Sequence, residues 1–206
     1  MNTEQPATSK TEHDIFLAKL RETTLPAHKR LEALPISEAI ISPELTKFTY
    51  TEYLSLMSAV IRDVEETAFP AVADIIANVE SRKKSHMIEA DLKQLGSDVR
   101  AELHLNKPDG STITPAFAMG MMYVIEGSTL GGRVILKNVE KTLGTDIAQA
   151  TSYFSGYGER TGSSWKAFLD SFTNWAIANR NKQEEMIAGA NYMFSAIHNL
   201  LQKNSK

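Results

Sequence analysis

The sequence predicts an all-α fold, and three observations carry that prediction. Apolar residues recur at steps of three and four along most of the chain, the period of one helix face. Prolines and glycines stand where helices start and stop, not in the clusters that mark hairpins. No stretch alternates apolar and polar side chains over the length of a strand. The chain has 206 residues, 42% hydrophobic and 23% charged. That length suits one substantial core better than two. We therefore expect a single helical domain over residues 12–203, preceded by a polar, disordered leader at residues 1–11.

The elements follow in order. From His13 onward, Phe16, Leu20, Ala27, Leu31 and Leu34 keep the helical step, and Pro35 marks the end. Pro26 lies inside that helix, where it bends the chain or removes one backbone hydrogen bond. Thr49-x-x-Glu52 reads as a capping box. The helix it opens continues through Leu54, Met57, Val60, Ile61 and Val64 toward Phe69, until Pro70. A shorter helix is expected from Ser85 to Leu95, closed by Gly96 as C-cap. Asn106-Lys-Pro-Asp-Gly110-Ser is a turn signal. Thr114-Pro115 gives an N-cap and a proline in the first turn of a long helix that ends near Leu143, with Gly144 behind it. Residues 151–162, rich in Ser, Gly and Tyr, read as a loop, followed by helices near Ser164–Ala178 and Lys182–Gln202.

Composition removes several function classes. Net charge is -3 with no long basic block, which argues against a nucleic-acid partner. There is no cysteine, so disulfides and thiolate metal sites are excluded. No apolar run approaches the ~20 residues that cross a bilayer. The polar start lacks the apolar core of a signal peptide, so a cytoplasmic protein without membrane contact is expected. P-loop, dinucleotide and nucleophile-elbow fingerprints are missing. His13, His86, His104 and His198 share no ligand spacing, and no Glu-x-x-His repeat marks a di-iron bundle. Met119, Met121 and Met122 read as core filler.

Two segments carry chemistry. With Arg21 at zero, Leu17, Leu20, Thr24, Ala27 and Leu31 fall in an arc of roughly 240° to 320° on the first helix. His28 falls near 340° and Glu32 near 20°, at the edge of that apolar stripe. Glu32 can accept a hydrogen bond from one ring nitrogen of His28, fixing its tautomer and strengthening the other nitrogen as a metal ligand. Arg21, on the same face, suits a carboxylate. On its own, such a histidine is usually an amphipathic boundary residue.

The second segment is Tyr123-Val-Ile-Glu126-Gly127-Ser128-Thr-Leu-Gly131-Gly132-Arg133. Each glycine inside a helix costs about 0.5–1 kcal/mol relative to alanine. Gly120, Gly127 and Gly131 lie within about 60° on one face, bordered by Tyr123 and Val124. Bare backbone there serves either a flat ligand or the close packing of another helix. The Gly131-Gly132 pair favours a kink. Ser128 adds a hydroxyl able to hold a water.

The run Leu20-Arg-Glu-Thr-Thr24-Leu-Pro-Ala-His28-Lys-Arg-Leu-Glu32 resembles the proximal helix of haem oxygenases. Tyr123 through Ile135 resembles the kinked distal helix of that family in its bacterial form, Glu-Gly-Ser-x-Leu-Gly-Gly. The resemblance implies a haem oxygenase-like helical bundle with haem as both substrate and cofactor. It implies that His28 ligates the haem iron, that Glu32 orients it and that Thr24 packs beside it. Arg21 and, by a weaker local match, Lys166 correspond to cations near the propionates. Gly127 and Gly131 correspond to the glycines that approach the distal haem face, and Tyr123 borders them. Animal members carry aspartate where this chain has Ser128, so its water network is organised differently. They also carry arginine where this chain has Asp170, which changes propionate anchoring.

The implied activity is oxidative opening of haem to biliverdin with release of CO and ferrous iron, using O₂. Water near Ser128 would deliver the proton. Electrons would come from a ferredoxin or flavin reductase, docking where Arg133, Lys137 and Lys141 follow one another on one helical face. The alternative is a non-enzymatic haem-binding or storage protein on the same fold, without a proton-delivering distal side.

Overall fold

The computed structural model describes residues 11–97, 110 and 112–204. Among these residues all regular structure is helical, as expected. In chain order the α-helices are α1 (Glu12–Glu32), α2 (Pro35–Ala39), α3 (Lys47–Thr67), α4 (Ser85–Gln94), α5 (Pro115–Leu143), α6 (Ser152–Ser155), α7 (Thr161–Ala178) and α8 (Gln183–Asn204).

Local chemistry sets most boundaries. Thr11 Oγ1 accepts from the Asp14 amide at 3.2 Å, and an Asp14 carboxylate oxygen accepts from the Thr11 amide at 3.1 Å. This capping box makes Thr11 the N-cap of α1; residues 1–10 lie outside the described residues. Pro35 does not merely end α1, since it occupies the first turn of α2, where its missing N–H loses nothing. Thr46, not Thr49, caps α3, accepting from the Thr49 amide at 3.1 Å. Its backbone is extended, with φ -104° and ψ 157°, as an N-cap requires. Thr49 lies inside the helix, its hydroxyl 2.9 Å from that of Thr46. Thr114 caps α5, and Gly144, at φ 73°, ends it. α5 runs as one continuous helix through Gly127, Gly131 and Gly132. Apart from Gly110, the expected turn at 106–111 lies outside the described residues.

The expected loop at 151–162 is largely helical. It contains α6, a 3₁₀ turn over Gly158–Arg160 and the start of α7 at Thr161. The cause lies sixty residues upstream in α4. Asp91, fully buried, accepts from the amides of Ser152 at 3.0 Å and Tyr153 at 2.8 Å. A carboxylate on two free N–H groups at a helix start satisfies donors that have no partner within the helix.

One hydrophobic core joins residues from Phe16 to Leu201. Its tightest seam is α5 against α8. A Cβ added to Gly120 would run into the carbonyl oxygen of Met186 and come within 2.7 Å of the Ala190 amide. Gly189 of α8 answers against the carbonyl of Phe117. Two glycines thus bring two backbones together. Farther along, α5 leaves α8 and faces α1 across open space.

Candidate functional site

A cavity of about 1070 Å³ lies between α1 and the later part of α5. Its size is at the upper end of the ~300–1,000 Å³ of ordinary ligand pockets. Arg21, Thr24, Leu25, His28 and Glu32 form the α1 wall. Tyr123, Gly127, Ser128, Gly131 and Gly132 form the α5 wall. Tyr53 and Met57 from α3, Tyr153 and Phe154 from α6, and Trp165 from α7 close the remaining sides. The site residues nominated from sequence therefore meet around one space, with one exception. Lys166 is exposed on α7 and absent from the wall, which its neighbour Trp165 reaches instead.

On α1, Phe16, Leu20, Thr24 and Ala27 are buried, which turns the adjacent face of the helix toward the cavity. His28 is about half exposed and Glu32 more so, and His28 Nε2 stands 3.3 Å from Glu32 Oε1. The ring also packs on Phe194, with centroids 5.1 Å apart. The imidazole is thus held from two sides. A half-turn of the ring about Cβ–Cγ swaps Nδ1 with Cδ2 and Nε2 with Cε1, and which orientation holds follows hydrogen bonding. Thr24 is committed elsewhere, its hydroxyl donating to the Leu20 carbonyl at 2.8 Å. Arg21 is exposed at the cavity and has no ion-pair partner among the described residues.

The α5 wall is bare where it matters. A Cβ on Gly131 would meet nothing within 4 Å. One on Gly127 would touch the Trp165 ring at 3.4 Å, and one on Gly132 the Phe154 ring at 3.5 Å. Gly120, placed on the same face by angle alone, belongs to the α8 seam and not to the cavity. Ser128 lines the space and donates its hydroxyl proton to the Ile125 carbonyl at 2.7 Å. Its oxygen retains lone pairs that can accept from water.

Directly before Gly127 lies a charge cluster that sequence reasoning missed. Glu126 is fully buried and accepts from Arg82 Nη1 at 2.7 Å, Lys84 Nζ at 3.3 Å and the Tyr157 hydroxyl at 2.8 Å. Lys84 Nζ also donates to the Tyr157 oxygen at 2.8 Å and to the Arg82 carbonyl at 3.0 Å. Lys84 reaches the cavity wall. Burial holds its ammonium below the usual lysine range, against the pull of Glu126. Burial first, and then Glu126, hold the Tyr157 phenol far above its ordinary value. A signal was present in the sequence, because a lone acid in the apolar run Met121-Met-Tyr-Val-Ile-Glu126 has to find buried partners. Those partners come from the 3₁₀ segment at Val79–Arg82, from Lys84 just before α4 and from Tyr157, which no local pattern links to Glu126.

Residues 14–203 match the family model described as heme oxygenase. A heme oxygenase of Xanthomonas campestris pv. campestris (strain 8004) is 28% identical over 159 residues, 77% of this chain and 92% of that protein. The fold is shared with the NO- and CO-bound heme oxygenase from Neisseria meningitidis, at TM-score 0.75 and 22% identity, covering 92% of this chain and 91% of that one. It is shared as well with heme oxygenase from Leptospira interrogans, at TM-score 0.72 and 16% identity over 91% and 98% of the two chains. No helix among the described residues is long and apolar enough to cross a membrane.

Proposed function

The chain belongs to the haem oxygenase family and degrades haem, and from that premise we propose that haem lies between α1 and α5 with His28 on its iron and is opened to biliverdin, CO and ferrous iron. One observation carries this reading: a single cavity has a lone imidazole on one wall and bare backbone on the other. One protein ligand suits a metal whose in-plane ligands come with its own macrocycle.

Each residue then has a physical task. Glu32 accepts from the His28 nitrogen that does not face the iron, which fixes the ring and raises its basicity. In the structure that nitrogen is Nε2; a rotation of the side chain gives it to the iron and Nδ1 to Glu32. Arg21, free of other ion pairs among the described residues, binds a propionate. Lys166, one residue beyond the wall residue Trp165, is the weaker second anchor, with the exposed Asp170 one turn away. Gly127 and Gly131 let a flat ring lie against the helix, and open space over Gly131 leaves room for a diatomic molecule. Ser128 holds a water there by accepting its hydrogen bond, and that water supplies the proton. Bound haem supplies the iron that activates O₂ and the carbon that is oxidised, and a neutral imidazole lacks the thiolate push toward O–O cleavage.

Electrons come from an acidic ferredoxin or flavin reductase. Arg133, Lys137 and Lys141 are exposed on the part of α5 beyond the glycines. Turnover tests the reading. Hemin mixed with the chain, a reductant and air should lose its Soret band while a bilin band grows in the red. A Soret band that persists under those conditions contradicts the assignment.

A further inference from the structure

Two phenols on the cavity wall make no hydrogen bond to any described residue. Tyr50, fully buried, and Tyr157, partly buried, donate to the Ala150 carbonyl at 2.6 Å and to Glu126 at 2.8 Å. Tyr153 is buried, at 8% exposure, and Tyr53 is partly buried. Neither of their hydroxyls has a hydrogen-bond partner among the described residues, and both residues line the cavity. They flank the Phe154 ring, at centroid distances of 6.1 Å from Tyr53 and 5.0 Å from Tyr153. Met57, Ile61 and Phe154 are the apolar residues beside them, and the Lys84 ammonium, tied to Glu126, also reaches the wall. Among the described residues only Arg82 Nε is buried without a partner, so these two hydroxyls are open to the cavity, where a ligand oxygen can meet them.

The missing partner has a definable chemistry. Both phenols remain protonated well beyond neutral pH, because burial raises each of them, so they act as hydrogen-bond donors. The Glu65 carboxylate is near enough to Tyr153 to push its phenol up further. A second carboxylate is unwelcome beside it, whereas an uncharged oxygen is not. The only oxygens of haem are its carboxylates. Opening the ring adds two carbonyl oxygens at the carbons that flanked the lost meso bridge.

We propose that Tyr53 and Tyr153 form a two-donor subsite for the new carbonyl oxygens of the ring-opened tetrapyrrole, so that this end of the cavity recognises product more than substrate. The proposal rests on the haem reading above. It also orients the ring, with the attacked meso edge toward α3 and α6.

The test is direct binding to the full chain, with quenching of tryptophan fluorescence (Trp165 and Trp175) reading biliverdin and the Soret band reading hemin. Variants are Tyr53→Phe, Tyr153→Phe and the double, each checked by thermal melting; phenylalanine keeps the ring contacts with Phe154. Each hydroxyl should contribute about 3- to 10-fold in biliverdin affinity. Hemin affinity should stay within about 2-fold. Loss of hemin affinity that disappears with hemin dimethyl ester would assign the subsite to a propionate instead and overturn the product claim. Unchanged affinity for both ligands would overturn the subsite while leaving the haem reading intact. A wild-type chain that binds neither tetrapyrrole would sink both.

Discussion

In the first half of α5, Gly120 lies so close to α8 that a methyl group there would strike the Met186 carbonyl. In the second half, a methyl group on Gly131 would meet nothing within 4 Å. Both glycines fall on nearly the same helical face, and both carry the same intrinsic helix penalty. One lets protein meet protein, and the other keeps protein away from a ligand. Glycine spacing in a helix therefore reports a need for bare backbone without saying what fills the space. Fully buried Glu126 marks the changeover, one residue before the first glycine of the cavity wall.

The largest effect should come from breaking that junction. Glu126→Leu leaves Arg82 and Lys84 as uncompensated buried cations, and removing one partner of a buried pair typically destabilises by about 3–5 kcal/mol. Urea unfolding measures this, and a loss below about 1 kcal/mol would show that the cluster is solvated or rearranges freely. Next, Gly120→Ala overpacks the α5–α8 seam and should destabilise by about 1–3 kcal/mol or more. For a chain of this size that lowers Tm by roughly 2–4 °C per kcal/mol.

A smaller effect separates the halves by pH. The Tyr53 phenol on the cavity is pushed up from 10.0 to about 12 by burial. Between those values the native chain keeps a proton that the unfolded chain loses. The stability this contributes is whole below pH 10.0 and lost as pH rises toward about 12. Tyr50, Tyr153 and Tyr157 act in the same sense. Lys84, lowered by burial, acts in the opposite sense over its own window, where the unfolded chain holds the extra proton. Urea midpoints should therefore fall above about pH 10, and Tyr53→Phe should flatten that fall. An equally steep fall in the variant would show that the phenol is not desolvated.

The smallest stability change is the most instructive. Gly131→Ala introduces a methyl into open space and should stabilise the unliganded chain by about 0.5–1 kcal/mol. The same methyl narrows the space opposite His28, so hemin affinity should drop while Tm rises. Gly120→Ala should lower Tm with no such reversal. Identical behaviour of the two variants would erase the distinction between the halves.

Much of this was legible because its causes are local. Thr114-Pro115 and Gly144 bound α5 from within the sequence, and the three- and four-residue step brought His28 and Glu32 to the edge of a buried stripe. Other features escaped because their causes are distant. Asp91 in α4 makes a helix of Ser152–Ser155, so a serine- and glycine-rich loop reading failed there. Glu126 draws its partners from residues 82, 84 and 157. Gly120 and Gly131 share an angle and differ only in which element lies opposite. At the rim, the weak match at Lys166 pointed one residue beyond the side chain that reaches the wall, Trp165.

The central claim is that haem iron is held by His28 across the cavity from Gly131, and the absorption spectrum of the hemin complex tests it most directly. Wild-type chain should give a sharp Soret band with stoichiometric hemin. His28→Ala should shift or abolish that band, and added imidazole, filling the space left by the side chain, should restore it. A His28→Ala spectrum indistinguishable from wild type, with no response to imidazole, would contradict the account.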